Sequence, residues 1–170
     1  MTTDVFTPEK RSAVMRRVRG RDTAPELAVR RILRQAGIGY RLGGCGLAGR
    51  PDVVMKGRRI ALFVHGCFWH GHDCARGARQ PKSNADYWIA KIGRNRARDA
   101  RNLETLSAEG WTPIVVWECE MKSPEFAGDL VARIRAQAAT VSAVSSLASP
   151  DSTVFRAPSR AAGVRGLETK

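Results

Sequence analysis

Apolar positions fall into short blocks along this chain, and the blocks change their period. In "TAPELAVRRILRQAG", Leu27, Ile32 and Leu33 recur at helical spacing. They follow Thr23-Ala24-Pro25-Glu26, a capping box with proline in the first turn, and the block stops at Gly37. "RPDVVMKGRRIALFVHG" then reads as two β-rich runs, Asp52 to Met55 and Arg59 to Val64, which flank Lys56-Gly57 and predict a hairpin. From Cys67 to Lys82 the chain is glycine-rich and irregular. Ser83-Asn84-Ala85-Asp86 caps a long helix ending at Gly110, "WTPIVVWEC" predicts a buried strand, and Ser123-Pro124-Glu125 starts a last helix to near Gln137. Near the start, Thr7-Pro8-Glu9 opens a short basic helix to near Val18. The order α-α-β-β-α-β-α predicts one three-layer α/β domain over residues 1–138, with the strands central. Residues 139–170, Ala/Ser-rich and aperiodic, read as a disordered tail.

The chain has 170 residues, 43% of them hydrophobic, enough for one domain with its own core. No apolar run is long enough to span a membrane, and the first residues lack the apolar centre of a secretory signal, so a cytosolic protein is expected. In that compartment the four cysteines point to metal ligands or buried thiols rather than disulfides. Charge narrows the function further. With 29 Lys and Arg against 16 Asp and Glu, the net charge of +13 calls for a polyanion partner. Nucleic acid is favoured over a membrane surface because no amphipathic anchor is visible.

One stretch concentrates the chemistry. "FVHGCFWHGHDC", Phe63 to Cys74, holds every histidine and two of the four cysteines. Cys67, His72 and Cys74 offer three soft or borderline ligands, and Cys119 is a candidate fourth from the end of the later strand, with Asp73 and Cys45 as competitors. Three cysteines and one histidine would make a closed tetrahedral zinc site of the structural kind. His65 and His70 then remain free. In a hairpin the start of one strand lies near the end of the next, so Asp52 should approach Val64 and His65. A carboxylate, a strand-end carbonyl and two imidazoles at one edge suit Mg²⁺-dependent hydrolysis. Glu26 could complete the surroundings, although the capping box alone explains it, and Asp52 alone could be a turn residue. Phe68 and Trp69 fit neither strand nor helix; core filling is the ordinary reading, and a wedge between base pairs is the functional one.

"GRPDVV", "FVHGCFWHGHDC", "YWIAKIGRNRARD" and "GWTPIVVWEC" together resemble the very short patch repair (Vsr) DNA mismatch endonucleases, from about Thr7 to Met121. That resemblance implies a restriction-endonuclease-like core, a divergent relative of the PD-(D/E)xK nucleases in which Phe63-Val64-His65 replaces the usual Glu-x-Lys. It implies Asp52 and the Val64 carbonyl as Mg²⁺ ligands, His70 as general base, and His65 and Glu26 completing the site. Cys67, His72, Cys74 and Cys119 fall on the structural zinc ligands, and Met15, Phe68 and Trp69 on the apolar wedge that enters DNA. Some members carry Thr where this chain has Val64, and a histidine where it has Gly71. The implied reaction nicks one strand 5′ to the thymine of a T:G mispair left by deamination of 5-methylcytosine. Its implied partners are duplex DNA, a cytosine-5 methyltransferase, and a repair polymerase and ligase; a single asymmetric nick requires only a monomer. Lys91 and Asn95 are candidates for contacts to base edges, and the neighbouring arginines for phosphates.

Two other readings share these features. One is a zinc-stapled DNA-binding module without catalysis. The other is a nuclease of the same fold with a different DNA substrate.

Overall fold

The computed structural model describes residues 20–79 and 84–147. The helix expected over residues 7–18, Met15 on it, Ser83 and residues 148–170 lie outside the described residues. Among the described residues no helix is long and apolar enough to cross a membrane.

The first described helix, α1, spans Ala24–Gln35. Thr23 caps it: its hydroxyl accepts from the Glu26 amide and donates to the Glu26 carboxylate, while that carboxylate also accepts from the Asp22 amide. The expected box therefore forms, displaced by one residue on its return bond. At the other end Gly37 adopts φ +67, Gly37 N–H donates to Arg34 and Ile38 N–H to Leu33. These two bonds close a Schellman motif, and its apolar contact is the buried pair Leu33 and Ile38. The inner stripe of α1 is Glu26, Val29, Arg30 and Leu33. Leu27, expected on the apolar face, is instead 44% exposed. Two charged side chains occupy the inner stripe because they neutralise each other across 2.9 Å.

The hairpin forms as expected, with β1 at Val53–Met55 and β2 at Ile60–His65 joined by a short 3-10 turn, Lys56–Arg58. Val53 faces Leu62, Val54 faces Ala61 and Met55 faces Ile60. Beyond the irregular loop, α2 spans Ala85–Ala108 and leads into β3, Thr112–Trp117, which pairs in parallel with β2. Asn84, expected among the capping residues, sits in the left-handed region and makes no side-chain cap. Helix α2 ends in a second Schellman motif, with Gly110 N–H donating to Ser107 and Trp111 N–H to Leu106. The resulting mixed sheet has the order β1-β2-β3.

The period-2 alternation sorts the strands' side chains onto two faces. Val53, Met55, Ile60, Leu62, Ile114 and Val116 pack against Val29 and Leu33 of α1 and against Phe126, Leu130 and Ile134 of α3, Phe126–Leu147. Ala61 and Phe63 point the other way, towards Leu106 of α2. This is the three-layer α/β arrangement, with one helical layer on each side of the strands. Only Ile114 and Val116 of β3 are buried, so that strand is half-buried rather than wholly buried as expected; it forms one edge of the sheet. Helix α3 runs on to Leu147 instead of stopping near Gln137, so residues 139–147 of the expected disordered tail are helical. Neither Gly nor Pro interrupts Ala138 to Leu147, and alanine favours helix.

Leu62 is fully buried at the centre of the larger cluster. Leu62→Ala should lower unfolding free energy by about 2–5 kcal/mol, measured by denaturant titration.

Candidate active site and metal centre

Strand β2 carries the site at its C-terminal end. Asp52, just ahead of β1, lies opposite that end because of the hairpin register, and its carboxylate accepts a 2.7 Å hydrogen bond from Val64 N–H. In an extended strand the N–H and C=O of one residue point to the same side, so the Val64 carbonyl faces the Asp52 edge as well. Its neighbour His65 turns to β3, where its carbonyl accepts from Glu118 N–H. Burial raises the pKa of the Asp52 carboxyl, opposed by the Val64 bond and reinforced by the nearby Glu26 charge. A half-buried carboxylate and a carbonyl on one side form a hard-oxygen pair suited to a divalent cation such as Mg²⁺.

The imidazoles come together on the α2 side. His65 and His70 stack with ring centroids 3.8 Å apart and planes within 9°. Burial, and then the charge of His70, lower the His65 pKa to about 4, which keeps that ring neutral. His70 Nδ1 lies 2.6 Å from the Asp99 carboxylate of α2. Facing an ionised carboxylate, which only accepts hydrogen bonds, a neutral ring would carry its hydrogen on Nδ1 and its lone pair on Nε2. A cavity of about 230 Å³ is lined by Glu26, Asp52, Val64, His65, His70 and Asp99 together. The structure thus gathers every residue expected at the hydrolytic centre, and adds Asp99. That aspartate was not singled out from the sequence, although it is the one acid within the basic run Arg94 to Arg101. Glu26 is buried but fully engaged: Asp22 N–H, Thr23 and Arg30 all donate to it.

The loop after β2 builds a second centre. Cys67, His72, Cys74 and Cys119 place their ligand atoms all within 4.8 Å of one another. Cys45 and Asp73, the competing fourth ligands, are not in this group. His72 Nδ1 is the imidazole atom on the inner side, 3.5 Å from the Cys119 sulfur. Burial raises the Cys67 thiol, whereas the His72 hydrogen bond lowers that of Cys74. A soft cation would resolve this uneven set by drawing protons from all three sulfurs, and three thiolates with one imidazole are a closed tetrahedral donor set.

Phe68 and Trp69, between Cys67 and His70 along the chain, are half-buried. They pack edge-on against each other and against Trp88 of α2, with ring centroids 5.2–5.8 Å apart. Trp88 was missed in the sequence; a tryptophan in the exposed first turns of a basic helix was its only sign. Lys91 Nζ sits 5.8 Å from the Trp69 ring and 5.2 Å from that of Trp88. Asn95 donates its side-chain amide to the Trp69 carbonyl. Asn95, expected to reach base edges, therefore spends that donor on propping the aromatic loop.

A profile of the family described as DNA mismatch endonuclease Vsr matches residues 3–76. The "Type II nicking enzyme V.XorIIP" of Xanthomonas oryzae pv. oryzae is 50% identical over 133 residues, covering 78% of this chain and 95% of that protein. The "Type II nicking enzyme V.NmeAIP" of Neisseria meningitidis serogroup A is 45% identical, covering 71% of this chain and 86% of its own. The "DNA mismatch endonuclease Vsr" of Escherichia coli K12 is 38% identical, covering 72% and 78%.

The metal loop leaves one backbone position no side-chain room. A Cβ on Gly77 would lie 2.0 Å from the His72 carbonyl oxygen. Gly77→Ala should therefore displace the loop, lower the thermal midpoint and reduce metal retention after dialysis, read by calorimetry and by elemental analysis.

Proposed function

This chain belongs to the Vsr DNA mismatch endonuclease family, and on that premise we propose that it nicks one DNA strand 5′ to the thymine of a T:G mispair, using Mg²⁺. The observation that carries the reading is the convergence of Asp52, Val64, His70 and Asp99 on one cavity at the end of β2. Asp52 and the Val64 carbonyl would hold the cation. When bound, Mg²⁺ supplies positive charge against the phosphate oxygens. His70 Nε2 takes a proton from the attacking water while Nδ1–H stays on Asp99, which stabilises the imidazolium and fixes the ring. His65 stacks on His70 and limits its rotation; its ring stays neutral and so adds no competing positive charge. Glu26 bears on the site through its charge, since its carboxylate is held by Arg30 and the Thr23 turn.

On this reading the sheet and α2 are the core of a restriction-endonuclease-like fold, with Phe63-Val64-His65 where related nucleases carry Glu-x-Lys. Zn²⁺ would be held by Cys67, His72, Cys74 and Cys119, stapling the loop to the end of β3. Phe68 and Trp69, with Met15, would enter the duplex beside the mispair. Opening a base step costs a few kcal/mol, and least where pairing is already weak, so an apolar wedge favours mismatched sites. The net charge of +13 supplies backbone attraction. The chain would act as a monomer in the bacterial cytoplasm, downstream of a cytosine-5 methyltransferase and ahead of a polymerase and ligase.

A supercoiled plasmid with one T:G mispair should be nicked in the presence of Mg²⁺, and the same plasmid with T:A should stay closed. Binding without nicking would favour a DNA-binding module, and equal nicking of T:A a different substrate. Asp52→Ala and His70→Ala should abolish nicking while DNA binding persists, and Asp99→Asn should slow it by about 10²-fold or more. Cys67→Ser should cost folding stability rather than catalysis alone, seen as a lower melting midpoint and loss of bound zinc.

A further inference from the structure

Arg50 is a cation beside the acidic centre that no group among the described residues uses. The cavity at the end of β2 carries Glu26, Asp52 and Asp99, three carboxylates that repel an incoming phosphodiester. Two of the arginines near them are already engaged. Arg98 pairs with Asp99 at 3.1 Å, and Arg30 is shared between Glu26 and Asp22. Arg50 lines both this cavity and the adjoining one beside Glu26 and Asp52. Its residue is exposed, and among the described residues its side chain makes no hydrogen bond or ion pair.

Its backbone points the same way. Arg50 adopts φ +54, a conformation that side chains with a Cβ disfavour, and it does so directly before Pro51, where extended backbone is preferred. The surrounding turn enforces this. A Cβ on buried Gly44 would lie 2.9 Å from the Arg50 Cα, and Arg50 N–H is tied to the Leu47 carbonyl. Arg59 has similar strain, but its guanidinium donates to the Glu109 carbonyl and lies over the Trp111 ring. Arg50 has no such compensation among the described residues. Glycine would satisfy the turn at lower cost, so a charged side chain at this position is explained by what it meets beyond the described residues.

We propose that Arg50 is a catalytic residue that donates hydrogen bonds to a non-bridging oxygen of the phosphodiester being cut. The proposal rests on the nuclease reading above. A guanidinium stays protonated throughout, so Arg50 transfers no proton and acts only on charge that builds up on the phosphorus oxygens.

The test compares Arg50→Gly, Arg50→Gln and Arg50→Lys with the wild-type chain. Single-turnover nicking of a T:G duplex is followed with saturating protein and Mg²⁺; duplex affinity without divalent ions and the thermal midpoint are measured alongside. Arg50→Gly should melt no lower than wild type, because glycine relieves the turn, and should nick about 10²–10³-fold more slowly. Its affinity should fall by no more than about tenfold, since a single phosphate contact is lost. Arg50→Lys should recover more rate than Arg50→Gln, which keeps a long polar side chain without the charge. Nicking by Arg50→Gly within about threefold of wild type would overturn the proposal, as would equal rates for the Lys and Gln variants. A wild-type chain that leaves the T:G duplex intact would instead overturn the nuclease reading, and this proposal with it.

Discussion

A single hydrogen bond organises the acidic half of the site: Val64 N–H to the Asp52 carboxylate, 2.7 Å long. Asp52 lies just ahead of β1, where β2 runs on past the ladder, so its side chain stands in for the missing strand partner of Val64. Even a half-buried carboxylate loses hydration, and that cost is offset where a charge or a donor meets it. The Val64 amide meets one oxygen of Asp52, which lines the cavity. The same geometry turns the Val64 carbonyl to that side, so one β-ladder register decides where both oxygens point. Had the hairpin slipped by one residue, Asp52 would face the opposite side of the sheet.

Helix α2 controls the other half. Its Asp99 holds Nδ1 of His70, and its Asn95 holds the carbonyl of Trp69. The loop from Gly66 to Arg79 contains little regular structure, yet it is fastened at three kinds of point: the cysteine and histidine group, the α2 side chains and the aromatic packing around Trp88. Chemistry and aromatic surface thus share one anchored segment. A shift of α2 would move the His70 ring and the Phe68-Trp69 pair together.

The buried ion pair of α1 deepens the electrostatic pattern. Glu26 and Arg30 occupy inner positions that would ordinarily be apolar, and Arg30 also reaches Asp22. Buried pairs of this kind contribute little net stability and would be destabilising if half were removed. Their placement beside Asp52 is better explained by the site than by the core. Arg30 offsets Glu26 and Arg98 offsets Asp99, so Asp52 keeps the cavity acidic, and among the described residues Arg50 at its rim pairs with none of these carboxylates.

Much of this was legible in the order of residues. One capping box, two glycine stops and one hairpin turn placed α1, the end of α2, β1 and β2, because each depends on contacts a few residues apart. The hairpin also predicted that Asp52 would meet Val64, and the ligand types predicted a cysteine and histidine cluster. What the sequence left open was whatever required distant segments to meet. Cys119 rather than Cys45 or Asp73 joins the cluster because β3 pairs in parallel with β2 and ends beside the loop. Leu27 lies outside and Glu26 inside because α1 turns the stripe of Glu26, Val29, Arg30 and Leu33 towards the core. Asp99 and Trp88 were ordinary helix residues until the packing of α2 set them against His70 and Phe68. Local patterns are determined by backbone sterics and short hydrogen bonds, which sequence encodes directly; the site is determined by which faces of separate elements are buried together, and only the folded chain decides that.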